Sequence, residues 1–182
     1  MIAAVAGRRI DAESAQPAFP LDRVPRIQRV LVSELKRMGV NALVASAACG
    51  ADLVALSAAR DLGLRRRIVL PGPNLEQFRI ESVTDRPGDW GPRFDALVAE
   101  ADAAGDLIVL DTGGGDQAFT AVNETVLEEA SILAETALET ICAIVLWEGP
   151  DPMRGESDNT AVFANAARRR GIALFEINTL RP

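Results

Sequence analysis

Short apolar runs alternate along the chain with longer amphipathic stretches. The runs are Ile2–Ala6, Ala42–Ala45, Arg67–Leu70, Leu107–Leu110, Ile141–Trp147 and Ile172–Phe175. None alternates apolar with polar, as expected of strands covered on both faces of a parallel sheet. Between the first two runs, Val24, Ile27, Leu31, Leu35 and Met38 recur at helical spacing and Gly39 follows as a stop. A second helix is predicted after Asp52, with Leu53, Leu56, Ala59 and Leu62 on one side and Gly63 as its stop. Further helices are predicted over Arg93–Ala101, Ala121–Leu138 and Thr160–Arg170, the last ending in three arginines that complement the helix dipole. This alternation predicts a single α/β domain over residues 1–182, a three-layer Rossmann-like fold with a mainly parallel sheet flanked by helices. Ala42–Ala45 and Ile141–Trp147 should be interior strands.

The Pro- and Gly-rich stretches Gln16–Pro25, Pro71–Pro73, Arg86–Pro92, Asp111–Asp116 and Glu148–Ser157 all fall at strand–helix junctions. In an open parallel sheet the loops after the strands line the ligand crevice. No repeat or linker divides the chain, and no window approaches the roughly 18 apolar residues of a membrane span. The N-terminal basic residues follow the apolar run, the reverse of a secretory signal. A cytoplasmic location without membrane contact is expected.

Composition narrows the chemistry. Net charge is −7, and of 19 basic residues only Lys36 is lysine. A polyphosphate backbone needs a basic face, so nucleic acid is not an expected partner. Cys49 and Cys142 form no CxxC pair, and Cys142 sits inside an apolar run as a packing residue. Histidine is absent, which removes the commonest general base and metal ligand together. The Asp111–Asp116 loop lacks the alternating oxygen ligands of a calcium loop. No metal and no cofactor are expected.

Three junctions carry candidate chemistry. In AVAGRRID, residues 4–11, a strand runs into Gly7, Arg8 and Arg9; glycine admits a ligand to the backbone and an arginine fork suits a phosphate. Arg8 is equally readable as a surface residue, and the single glycine is not a dinucleotide fingerprint. In SAACGADL, residues 46–53, a strand, small residues and a helix start follow one another. Ser46, Gly50 and Ala51 there form a candidate anion site at a helix N-terminus. Asp52 is read first as the N-cap. After Trp147, a loop with Gly149 and Gly155 leads to Asn159 and Thr160, with more capping groups than one helix needs. Phe78, Arg79 and Glu81 could line a base or ribose pocket or belong to the core, and Trp90 could stack or pack.

Taken together, AVAGRRID, SAACGADL, RIVLPGP and VLWEG followed by DNTAVFANAARRRG resemble the SLOG group of Rossmann-like domains, which includes the LOG phosphoribohydrolases and the DNA-processing protein DprA. SAACGAD is similar to the small-residue Gly-Ile-Asp loop of DprA, and GESDNTA stands where LOG enzymes have a Gly-Gly-x-Gly-Thr phosphate loop. The resemblance implies a nucleotide or nucleotide-derived small molecule as ligand, with phosphate near Ser46, Gly50 and Thr160 and Arg8 as a clamp. LOG enzymes place a glutamate just after that threonine, where this chain has Ala161. No catalytic residue is therefore assigned, although Glu148 or Asp158 could supply a carboxylate. A binding or sensing domain is the first expectation, a nucleoside-monophosphate phosphoribohydrolase the second, and a homo-oligomeric module, such as a homodimer, the third.

Overall fold

A computed structural model describes residues 1–13, 15–72, 74–112, 116–150 and 158–181, without the Asp116 side chain. Among the described residues, six strands form one parallel sheet in the order β4-β3-β2-β1-β5-β6. They are β1 (Ile2–Gly7), β2 (Ala42–Ala45), β3 (Arg65–Pro71), β4 (Leu107–Leu110), β5 (Ile141–Trp147) and β6 (Ala173–Asn178). The helices are α1 (Val24–Met38), α2 (Ala51–Asp61), α3 (Leu75–Ser82), α4 (Gly91–Ala103), α5 (Asp116–Ala137) and α6 (Asn159–Arg169).

Strand side chains point alternately to the two faces, and both faces are covered. Ala3, Val5, Leu43, Ala45, Ile68, Leu70, Ile144 and Leu146 join one buried cluster with α1, α2 and α4. Ile2, Ala4, Val44, Val69, Ala143, Val145 and Trp147 join a second cluster with α5 and α6. This is the three-layer Rossmann-like α/β architecture that the hydrophobic runs imply, with β2 and β5 interior. Double-sided burial is the reason the interior runs show no alternation, while the edge strands β4 and β6 are partly exposed.

From β1 the chain moves outward through β2, β3 and β4, then returns to add β5 and β6 on the other side. The loops after β1 and β5 therefore diverge in opposite directions, leaving a crevice at the carboxyl ends.

Several boundaries differ from the sequence expectation. β3 begins at Arg65 because Arg65 and Arg67 both bond Asp106, which carries the strand's polar start. β6 is displaced to Ala173–Asn178. α3 was not expected; Asn74 caps it by accepting from the Gln77 N–H at 3.0 Å, and Phe78 is its buried anchor. α5 starts at Asp116 rather than Ala121, and the glycines 113–115 before it lie outside the described residues. Trp90 is buried, its indole N–H donating to the Pro87 carbonyl at 2.8 Å, so it packs. Cys49 and Cys142 are buried free thiols.

Candidate functional site

Two cavities lie over the carboxyl ends of the central strands. The first, about 190 Å³, has apolar walls from Val5, Ala6, Phe119, Val122 and Val126, and a polar set of Arg9, Ser46, Asp52, Asn123, Asn159 and Thr160. The second, about 520 Å³, follows the loop after β1 and is lined by polar groups that include Arg8, Arg9, Asp11, Gln16, Arg86 and Asp158. Gly7, Arg9, Asn159 and Thr160 line both, so the two meet at a waist above the end of β1.

Arg8 does not point an open fork at this waist. Its Nη1 and Nη2 donate to the two Asp158 oxygens, the latter at 2.9 Å, and its Nε donates to Glu148 at 2.7 Å. Nη2 also lies 3.4 Å from the Gly149 carbonyl oxygen, and the guanidinium carbon sits 5.8 Å from the Trp147 ring centroid. Arg8 is 5% exposed. Burial works against its charge, but the bonds to Asp158 and Glu148 prevail and raise its pKa above the ordinary value. The expected phosphate clamp is thus a buried ion pair that ties the loop after β1 to the start of α6. The same pair commits Glu148 and Asp158, the two carboxylates considered for catalysis.

Asp158 also caps α6, accepting from the Ala161 N–H at 3.0 Å. Asn159 and Thr160 then form the first helical turn, with Thr160 buried. The Asn123 side-chain amide donates to the Asn159 carbonyl at 2.9 Å, joining α5 to this turn. Gly149, at φ +121°, makes the turn after β5 and lines neither cavity. Gly155 lies outside the described residues.

The start of α2 is filled from within. The Cys49 N–H donates to the Ser82 carbonyl at 2.9 Å, the Ala51 N–H to the Arg8 carbonyl at 3.0 Å, and the Leu53 N–H to the Ala48 carbonyl at 3.3 Å. Gly50, at φ +97°, is the N-cap, where the sequence suggested Asp52. A Cβ on Gly50 would stand 2.6 Å from the Arg8 carbonyl oxygen and 2.8 Å from the Ile10 nitrogen. Its smallness lets the loop after β1 cross the helix start, and Gly50 and Ala51 line neither cavity. The Ala51 N–H is thus taken by the Arg8 carbonyl, and of the expected anion site Ser46 lines a cavity while Gly50 and Ala51 do not. Gly7 has a related role: a Cβ there would meet the Leu146 carbonyl oxygen at 2.3 Å and the Ala51 Cβ at 2.6 Å.

Asp52 instead lines the smaller cavity, with 9% of its surface exposed. Its Oδ2 accepts from the Ala48 N–H at 3.2 Å. Among the described residues, no bonded cation balances it. Burial pushes its pKa from 3.8 to about 7, opposed by the Ala48 N–H and by the more distant Arg9 charge. A carboxyl poised near neutrality inside a crevice is a functional candidate on physical grounds. Arg9 pairs with Asp85 and donates from Nη2 to the Glu81 carbonyl at 3.1 Å, while its Nε is buried without a hydrogen-bond partner. The Arg86 Nε is likewise buried without one, 3.5 Å from Asp85. The Cys49 thiol is held above its usual pKa by burial, which Arg9 only partly offsets.

The structure therefore brings Gly7, Arg9, Ser46, Asp52, Asn159 and Thr160 together around the smaller cavity. It leaves Arg8 on the wall of the larger one with its fork taken by Asp158 and Glu148, and sets Gly50, Ala51 and Gly149 outside both. Sequence reasoning missed Arg86 and the α5 wall. Phe119, Val122, Asn123 and Val126 share one helical face, and a lone asparagine among those apolar positions was the available signal.

No family model matches the chain, and no curated protein does. Among solved structures, the carboxyl transferase domain of Rhizobium etli pyruvate carboxylase, with pyruvate and biocytin, is 13% identical with a TM-score of 0.26, over 84% of this chain and 24% of that one. Rhizobium etli pyruvate carboxylase with the allosteric activator acetyl coenzyme-A aligns with the same identity and TM-score over 13% of its length. Such low scores carry no argument about fold or function.

Proposed function

We propose that this chain is a nucleotide-binding domain, holding a nucleotide or nucleotide derivative across the waist above β1. The observation that supports it is the bipartite crevice. One chamber has apolar walls and a few hydrogen-bonding groups, suited to a heterocycle; the other is polar and bounded by arginines, suited to sugar and phosphate. Together they have the size and mixed lining of small-molecule sites. Whereas Arg8 is 5% exposed and held by Asp158 and Glu148, Arg9 and Arg86 line the polar chamber with 31% and 29% of their side chains exposed. They replace Arg8 as the phosphate-facing pair. This keeps the ligand class that the SLOG resemblance implies while relocating its contacts.

The test is calorimetry of the full chain against nucleoside monophosphates, the matching nucleosides and ribose 5-phosphate. Monophosphates should bind more tightly than nucleosides, and Arg9→Gln should reduce that difference. If no member of the panel binds, the reading is wrong. Turnover is a second reading, favoured by Asp52 as a crevice carboxyl not committed to an ion pair. Hydrolysis of a nucleoside monophosphate would consume water and release free base and ribose 5-phosphate, so chromatography of the mixture separates binding from cleavage.

A further inference from the structure

Within the nucleotide reading, on which this step rests, the chemistry of the smaller chamber bears on the ligand's ring. Asp52 is nine-tenths buried and lines that chamber. The Ala48 N–H occupies Oδ2, which leaves Oδ1 without a hydrogen-bond partner among the described residues. Around it stand the uncharged groups Ser46 from the end of β2, Asn123 from α5, and Asn159 and Thr160 from α6. Arg9, from the loop after β1, is the other charged residue lining the chamber, and it is paired with Asp85.

A buried carboxyl without an ion-pair partner favours its neutral form. That form offers one O–H donor beside an acceptor. A heterocycle with an unprotonated ring nitrogen next to an amino group complements both, as adenine and cytosine do. The oxo counterparts, hypoxanthine and uracil, also present donor and acceptor, but their ring nitrogen already carries its proton. The amino type accepts the Asp52 O–H at a ring nitrogen, a stronger base than the lactam oxygen its oxo counterpart offers there, so it makes the stronger hydrogen bond to a neutral carboxyl.

We propose that Asp52 reads the base, selecting ligands whose ring nitrogen lies beside an amino group over their oxo counterparts, with one proton shared between Oδ1 and that nitrogen. The proton comes from Asp52 itself where the free protein is protonated, and from solvent where it is not. Since burial sets the Asp52 pKa at about 7, binding at higher pH takes up a proton.

Calorimetry of the full chain against two matched pairs, adenosine with inosine and cytidine with uridine, tests this without titrating a phosphate. The amino member of each pair should bind about tenfold more tightly, the equivalent of 1.4 kcal/mol. Its affinity should be flat below pH 7 and fall toward tenfold per pH unit above it. Asp52→Asn cannot supply the proton, so the pH dependence should vanish and each pair should bind with similar affinity. Equal binding within pairs by the wild type, or an unchanged pH profile in Asp52→Asn, overturns the proposal while leaving nucleotide binding intact. Absence of binding by nucleosides and monophosphates alike overturns both.

Discussion

Two aspartates stand at equivalent places in this fold, each at the start of a helix that follows an interior strand, and their surroundings make them different groups. Asp158, before α6, caps the helix and holds the Arg8 guanidinium through two parallel bonds. Asp52, in the first turn of α2, meets only a backbone N–H and faces a cavity. Both are buried. A paired buried charge is structural, and losing one partner leaves the other stranded. An unpaired buried carboxyl in a cavity becomes an acid that titrates near neutrality. The same side chain thus serves as fastening in one βα unit and as chemistry in the other.

The largest effect expected of this contrast is on Arg8. Arg8→Leu should cost about 3–5 kcal/mol of stability, because Asp158 and Glu148 lose their cation, and chemical denaturation at neutral pH measures it. A loss below about 1 kcal/mol would mean that the pair behaves as an exposed salt bridge and would dissolve the contrast.

Asp52 should respond in the opposite sense. Its native pKa of about 7 exceeds the unfolded value near 3.8, so the native state binds more protons between these values. Stability therefore declines as pH rises from about 4 to about 7, and the deficit persists above that. Asp52→Asn should be more stable than wild type at about pH 8 by on the order of 2–4 kcal/mol, with the difference closing by about pH 4. Thermal unfolding across that range checks both sign and window, and a destabilised variant at high pH would show that Asp52 is paired after all.

A smaller effect separates two glycines of positive φ. Gly50→Ala adds a Cβ 2.6 Å from a backbone oxygen, whereas at Gly149 the added atom meets nothing within 4 Å. Both should pay for strain of about 1–3 kcal/mol, Gly50→Ala more than Gly149→Ala. Equal losses would show that the loop after β1 can retreat from the α2 start.

The three layers, the parallel sheet and its interior strands were legible in the chain, because double-sided burial leaves uninterrupted apolar runs and helices leave a 3.6-residue stripe. The site was legible only in part. Ser46, Asn159 and Thr160 could be placed at carboxyl edges from their junctions alone. Arg8 and Arg9 could not be told apart, since adjacent identical residues differ only in what the fold sets opposite them.

What the sequence determined by itself was therefore local: which segments are strands and helices, that both sheet faces are covered, and that acid–base chemistry must proceed without histidine. The tertiary structure decided which charges meet. Arg8 lies 150 residues from its partner Asp158, a separation that no periodicity encodes. Asp52 acquires its raised pKa from burial in the packed molecule, against the opposing pull of the Ala48 N–H and the Arg9 charge. Charge–charge energies and desolvation depend on distance and burial, and both are properties of the packed molecule.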